Sequence, residues 1–313
     1  LAAGIAAVSL VATQPVATQS LELHARPLAD GVYHVPARHA VWGPAHHGHV
    51  ANTGFVVGTR CIAVIDTGGS PTVGRALLTA VRQVSTLPVC YVVNTHVHPD
   101  HVLGNAEFST AGPGGVAPEF VGHHRLGAAM AARGPFYLHA LKRDFPRSDH
   151  VDTLVAPTIT VQDARELDLG DRVLQLRAWP TAHTDNDLTV YDRRSGTLFL
   201  GDLVFLGHLP VLDGKLRGWR SVLQGLREMK PAYAVPGHGP VRSDWPAPLE
   251  PTAAYLGALE ADVRAALRQG ESLADTVRRL GEAPAARLAG WQLSEEFHRR
   301  NITAAYAELE WSE

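Results

Sequence analysis

The sequence predicts an α/β protein with two strand-rich halves, and three observations lead there. Of 313 residues, 45% are hydrophobic and 21 are prolines, as in a globular, loop-rich chain long enough for a well-buried core. Between Cys61 and Val93 the chain reads strand, helix, strand, a βαβ unit whose two strands should lie parallel. From Thr158 onward short β-type segments return between turn residues. This repeats the first half's layout without its sequence, which suits two packed sheets.

Residues 1–20 stand apart from that pattern. Leu1 to Ala12 is apolar and rich in small residues, then Thr13 to Ser20 turns polar. The run is too short to span a bilayer. It reads as the remnant of a secretory signal peptide, with Pro15-Val16-Ala17 as one cleavage region, which places the protein in a bacterial periplasm. A leader with no targeting role is the competing reading. Residues 21–245 then form the main domain, with a helical insert at about 119–146, and 246–313 form a helical extension packed on that domain.

Within the main domain, Gly31 to Val35 reads as the first strand, and Asn52 to Gly58 and Cys61 to Asp66 as the next two. The loop from Arg38 to His49 is rich in aromatic and imidazole groups. Trp42 and His47 are its candidate substrate contacts, because a loop aimed inward by its scaffold often carries function. Ser70 can cap and Pro71 start a helix whose Val73, Leu77, Val81 and Val84 keep one face apolar. The strand Val89 to Val93 follows. Cys61 and Cys90 each open one of these strands outside any Cys-x-x-Cys pair. They read as buried thiols, the alternative being a disulfide with its specific geometric demands.

The insert runs from a short strand near Phe120 through an Ala-rich helical stretch to Phe145. It is expected to wall the active site, with His123 and Tyr137 put forward as substrate contacts; plain packing on the core is the competing role. Segments at Thr158 to Val161, Arg165 to Leu169 and Val173 to Leu176 open the second half, the last two joined by a turn at Gly170-Asp171. A strand carrying Trp179 leads to His183. The hairpin Leu188 to Tyr191 and Thr197 to Leu200 delivers Gly201-Asp202 at its far end, and Tyr233 to Gly239 is a buried strand ending on His238 between two glycines. From Pro251 the chain reads helical, with one apolar stripe through Leu256, Leu259 and Val263 and another through Ile302, Tyr306 and Leu309. These stripes pack on the sandwich or join copies into a homo-oligomer.

Chemistry concentrates in Asn94-Thr95-His96-Val97-His98-Pro99-Asp100-His101, immediately after an apolar run. Imidazoles and carboxylates are the ligands that Zn²⁺ and similar divalent ions take. Alternation sends His96 and His98 to one side of an extended segment. The turn at Pro99 lets Asp100 and His101 face a second position.

This H-x-H-x-D-H stretch resembles the signature of the metallo-β-lactamase superfamily. The resemblance implies a four-layer αββα sandwich: two mixed sheets face to face, helices on both outer faces, and here extra C-terminal helices. Carried over residue by residue, it places His96, His98 and His183 on a first metal, Asp100, His101 and His238 on a second, and Asp202 between them. It makes Asp66 a support behind the ligands, although the same residue would serve as a plain turn former. Two Zn²⁺ per chain are implied, with iron or manganese fitting the same ligands, and a bridging hydroxide as nucleophile. Asp100 is the candidate proton acceptor, and His208, shortly after Asp202, could reach the site.

Asp202 narrows the chemistry. True β-lactamases of this superfamily generally lack a carboxylate there, whereas thioesterases of the glyoxalase II type, lactonases and phosphodiesterases carry it. The expected substrate is therefore a small ester, thioester or lactone, with β-lactam hydrolysis at most a side activity. Ala63 to Gly69, Asn94 to Phe108 and Tyr137-Leu138 look like the periplasmic zinc metallohydrolases encoded beside quinoprotein dehydrogenases or sulfur-oxidation systems, which implies association with such a system. A sulfur dioxygenase with one iron could use the same scaffold. A diiron electron-transfer protein fits less well, since its pattern usually has Glu where His98 stands. With 28 Lys and Arg against 31 Asp and Glu and no basic stripe, nucleic acid is excluded as a partner, and a small-molecule substrate is expected.

Overall fold

The computed structural model describes residues 21–282 and 288–311. The proposed leader, residues 1–20, lies outside them. Two sheets organise the chain. The first holds seven strands in sequential order, β1 (Arg26–Ala29), β2 (Val32–Val35), β3 (Thr53–Val57), β4 (Ile62–Ile65), β5 (Val89–Val93), β6 (Glu119–His123) and β7 (Ile159–Val161). The second has the order β12 (Tyr233–His238), β11 (Thr197–Phe205), β10 (Leu188–Asp192), β9 (Val173–Ala178), β8 (Ala164–Asp168). Both are mixed: β4 through β7 run parallel, as do β11 and β12, and the other pairs are antiparallel. This is the α/β sandwich the sequence predicts.

Side-chain alternation explains the layering. In β4, Ala63 and Ile65 pack into the core between the sheets with Val190, Phe199 and Val235 of the second sheet. Ile62 and Val64 face the other way, onto Val73, Leu77 and Val81 of α1 (Pro71–Val84). A strand covered on both faces reads as an unbroken apolar run. As expected, Ser70 caps α1, its hydroxyl oxygen accepting from Val73 N at 3.2 Å. Val84 departs from the expected stripe and is exposed, because it sits in the last turn as the helix leaves the sheet.

On the outer face of the second sheet, α4 (Leu216–Arg227), α5 (Leu249–Arg268) and α7 (Ser294–Leu309) pack around Trp219, Leu256 and Ile302. A shorter helix, α6 (Leu273–Gly281), joins them. The C-terminal stripes are thus spent on this chain's own sandwich. Among the described residues no helix is long and apolar enough to cross a membrane.

Several local expectations are corrected. β1 was not anticipated; its RPLA sequence shows little alternation, and pairing with β2 makes it a strand. The segment at Thr158 to Val161 closes the edge of the first sheet beside β6, so the second half starts at β8. The insert contains one helix, α3 (Leu126–Asp144), running through Pro135. Cys61 and Cys90 form a disulfide, with Cα atoms 5.7 Å apart, where buried thiols were expected. Parallel pairing of β4 with β5 brings their first residues side by side.

One buried ion pair ties the sheets together. Arg172, in the turn between β8 and β9, contacts Asp192 Oδ1 through Nε at 3.1 Å and donates to the carbonyls of Val57 at 3.0 Å and Asp30 at 2.6 Å. Both charged side chains are almost wholly enclosed, and the two carbonyls belong to the first sheet, at the end of β3 and in the turn between β1 and β2.

Candidate metal centre

The carboxyl ends of β5 and β12, the Gly201-Asp202 stretch inside β11 and the loop after β9 converge on one spot. After β5 the chain turns through Asn94 to His98 into a one-turn helix, α2 (Pro99–Val102). His96 and His98 are past the end of the strand, so strand alternation does not aim them as expected. They meet because the loop curls: His96 Nε2 lies 3.1 Å from His98 Nδ1, and His183 Nε2 lies 3.0 Å from that same Nδ1. Asp202 Oδ2 completes the group, 3.7 Å from His96 and 3.5 Å from His183.

A second group adjoins it. Asp100 Oδ2 is 3.8 Å from His101 Nε2 and 3.5 Å from His238 Nε2. Asp202 reaches this group too, with Oδ1 3.3 Å from His101 Nε2 and Oδ2 3.2 Å from His238 Nε2. The seven side chains expected as ligands therefore fall into the two sets that could each hold a metal ion. Asp202 belongs within β11 and not at its end, since the strand continues to Phe205. It turns inward at Gly201, whose φ of 52° favours glycine. Gly237 is required as well, because a Cβ there would stand 1.9 Å from Asp202 Oδ1.

The donor set fits cations. Zinc–nitrogen bonds of 2.0–2.1 Å set a tetrahedral edge of about 3.3 Å, close to the spacings within the first group. His101 Nε2 and Asp202 Oδ1 are buried with no hydrogen-bond partner, a state native proteins avoid unless something else satisfies the atom. Electrostatics agree. Burial pushes His183 down to about 3, despite Asp202. Burial also opposes a charge on His101, yet Asp202, Asp66 and Asp100 together raise its pKa well above the ordinary value. Burial would raise Asp202, but His238, His101 and His96 hold it well below the usual carboxylate range. Carboxylates and imidazoles are crowded here in the manner of a site for positive charge.

Residues behind the ligands fix their aim. Asp66, at a left-handed φ of 56°, accepts from Thr95 N and Thr95 Oγ1, each at 2.8 Å, and pairs with His101 Nδ1 at 2.8 Å. It stands directly behind the ligand loop. His183 Nδ1 donates to Val211 O at 2.6 Å. Asp213 was not singled out from sequence: its Oδ2 lies 3.0 Å from His98 Nε2 and also pairs with Arg133 of α3. Despite burial, His98 and Arg133 hold the Asp213 carboxyl well below its ordinary range. Replacing Asp66 with alanine should weaken metal affinity roughly 10- to 100-fold, measured by competition with a chelating dye; unchanged affinity would remove it from the site.

A cavity of about 560 Å³ opens above the ligands, and Trp42, Tyr137 and His208 line it with Asp100, Asp202 and His238. Trp42 is held by donation from Nε1 to Gly69 O at 2.8 Å and by stacking on Phe145. Burial pushes the Tyr137 phenol up to about 12. His208 stacks on His238 at 4.8 Å and is pushed down to about 3 by burial; its Nδ1 donates to Leu209 O.

His47 and His123 are not among the lining residues. His47 has a left-handed φ of 54°, and its carbonyl accepts from Ser70 Oγ at 2.5 Å. His123 is buried, its Nδ1 accepting from Arg125 N at 3.0 Å. Their positions in sequence suggested the cavity, but the backbone sets them to other tasks.

Fold and site together define a metal-dependent hydrolase of the metallo-β-lactamase class. Residues 47–238, more than half of the chain, match the model of the metallo-beta-lactamase superfamily, and the chain belongs to that family. Among curated relatives it is 27% identical over 220 residues to the acyl-coenzyme A thioesterase MBLAC2 of Bos taurus, covering 64% of this chain and 71% of that protein. It is 25% identical over 189 residues to the beta-lactamase-like protein 2 homolog of Caenorhabditis elegans, covering 60% and 55%. A metallo-beta-lactamase from Pontibacter korlensis shares the fold with a TM-score of 0.58 at 22% identity, covering 75% of this chain and 99% of that one. TMB-1 does so at 0.57 and 16%, covering 76% and 98%.

Proposed function

We propose that the chain is a dinuclear zinc hydrolase acting on a small thioester, with esters and lactones as related substrates. The observation that carries this reading is the convergence of two ligand groups on one carboxylate, Asp202, in the wall of an aromatic-lined cavity. The relatives named acyl-coenzyme A thioesterases favour the thioester. Two divalent cations bound there would supply hydroxide near neutral pH, since the pKa of water falls to about 7 at catalytic zinc, together with positive charge for a developing oxyanion.

The chain's own residues do the rest. Val41, Trp42, Phe136 and Phe297 line the cavity and shelter an acyl group while excluding water. The Asp100 carboxylate takes the proton of the attacking water. Asp213, fastened by Arg133, holds the His98 ring in one orientation, so the insert helix steadies a ligand as well as walling the cavity. His208 donates through Nδ1, which leaves Nε2 as a hydrogen-bond acceptor for the substrate, the ring staying neutral because burial holds its pKa down. Export to an oxidising compartment, the periplasm, fits the Cys61–Cys90 disulfide.

Metal analysis of protein purified without added metal, paired with thioester, lactone, phosphodiester and β-lactam substrates, tests the proposal. About two zinc ions per chain and fastest turnover of a thioester are expected. A single iron with oxygen uptake on a persulfide, or fastest turnover of a β-lactam, would replace this reading.

A further inference from the structure

Beside the catalytic cavity lies a second cavity, of about 640 Å³, whose walls include Arg26, His34, Arg38, His39, His46 and Gln292 and carry no carboxylate. Neither arginine is in an ion pair among the described residues. His34 Nδ1 is buried without a hydrogen-bond partner. The positive field is felt by its neighbours: after burial, Arg26 suppresses protonation of His34, and Arg38 that of His49. Acidic side chains elsewhere on this surface pair with arginines, as Asp244 does with Arg242, so a wall with two arginines and no carboxylate is a local departure from a chain of net charge −3.

Position gives the groove its meaning. Arg38 and His39 immediately precede Ala40, Val41 and Trp42, which line the catalytic cavity. His39 stands between the two, its Nδ1 3.2 Å from Gln292 Oε1 and its ring edge-on to His208 with centroids 6.2 Å apart. A substrate reaching from the ligands past His208 and His39 would enter the groove that the two arginines line.

We infer that this groove binds the phosphate-bearing end of the substrate, so that the thioester's thiol portion is a phosphorylated carrier such as coenzyme A while its acyl portion occupies the aromatic cavity. Guanidinium groups are suited to phosphate through charge-assisted, bidentate hydrogen bonds. The His34 imidazole lines the same wall and adds a further polar group to it. This inference rests on the thioester reading above.

The test compares two thioesters of one acyl group, carried by coenzyme A or by phosphate-free N-acetylcysteamine, on the metal-loaded enzyme and on Arg26→Gln/Arg38→Gln. The ratio of kcat/KM for the coenzyme A ester over the phosphate-free ester should fall about 30-fold in the double variant, with the loss in KM. A ratio within twofold of the unmodified enzyme overturns the inference. Calorimetric titration with ADP keeps the question separate from catalysis. Binding that weakens with salt and disappears in the double variant supports the groove even if no thioester is cleaved, in which case only the thioester reading fails. ADP binding that is equal in both proteins, or absent from both, overturns it. Single His34→Asn protein, which keeps both arginines, should show a smaller loss of ADP affinity and serves if the double variant does not fold.

Discussion

Asp202→Ala should lower kcat/KM by about a thousandfold or more and reduce the metal bound per chain, with the fold retained. The carboxylate stands within 3.2–3.7 Å of His96, His101, His183 and His238. Among the described residues, it is the carboxylate that lies within these distances of histidines from both ligand groups. Removing it takes away the negative charge that lies between the two groups and, on the proposed function, the carboxylate they share. Asp202→Asn distinguishes shape from charge: it keeps the volume beside Gly237 and should lose nearly as much activity. Turnover by either variant above a tenth of the starting value, with full metal content, would mean that the shared carboxylate is not what organises the reaction. Circular dichroism of both proteins should match the unmodified chain, because Asp202 lies in the ligand cluster and is not part of a hydrophobic core.

Arg172→Met should lower unfolding free energy by about 3–5 kcal/mol, the largest stability effect expected from a single side chain here. Methionine fills much of the volume but leaves Asp192 buried with no cation and strips the carbonyls of Val57 and Asp30 of a donor. Adding Asp192→Leu should recover part of the loss, since removing both charges is gentler than stranding one. Recovery should be incomplete, because Asp192 also accepts from Ser195 N at 3.0 Å and so shapes the turn before β11. Urea denaturation followed by fluorescence gives both values. A loss below about 1 kcal/mol for the single variant, the size of an exposed ion pair, would show that the clamp is solvated in solution.

Legibility of the site followed the range of the interactions that build it. His96 to His101 could be read because four ligands share one turn of chain, and local geometry alone keeps them together. His183, Asp202 and His238 became readable through their order after that cluster, which matches the superfamily's, and the last two also through the neighbouring glycines. Asp213 gave no comparable signal. It is an acidic residue in a loop, and its role exists only because α3 brings Arg133 and the ligand loop brings His98 to its carboxylate. The same limit explains Trp42 and His47. Both sit on a loop suited to function, and only the left-handed turn at His47 and the Gly69 carbonyl waiting for Trp42 decide which of them lines the cavity.

By itself the sequence determined the α/β class, the βαβ unit and the ligand cluster from His96 to His101, because periodicity and ligand chemistry are properties of neighbouring residues; His183, Asp202 and His238 were added by the resemblance to the metallo-β-lactamase superfamily. Tertiary structure alone decided that Cys61 and Cys90 are bonded, that β7 joins the first sheet, that Asp202 spans two ligand groups, and that Arg26 and Arg38 share a groove with no carboxylate. Each of those depends on how distant segments are laid side by side, and the packing that does so leaves little trace in any one stretch of chain.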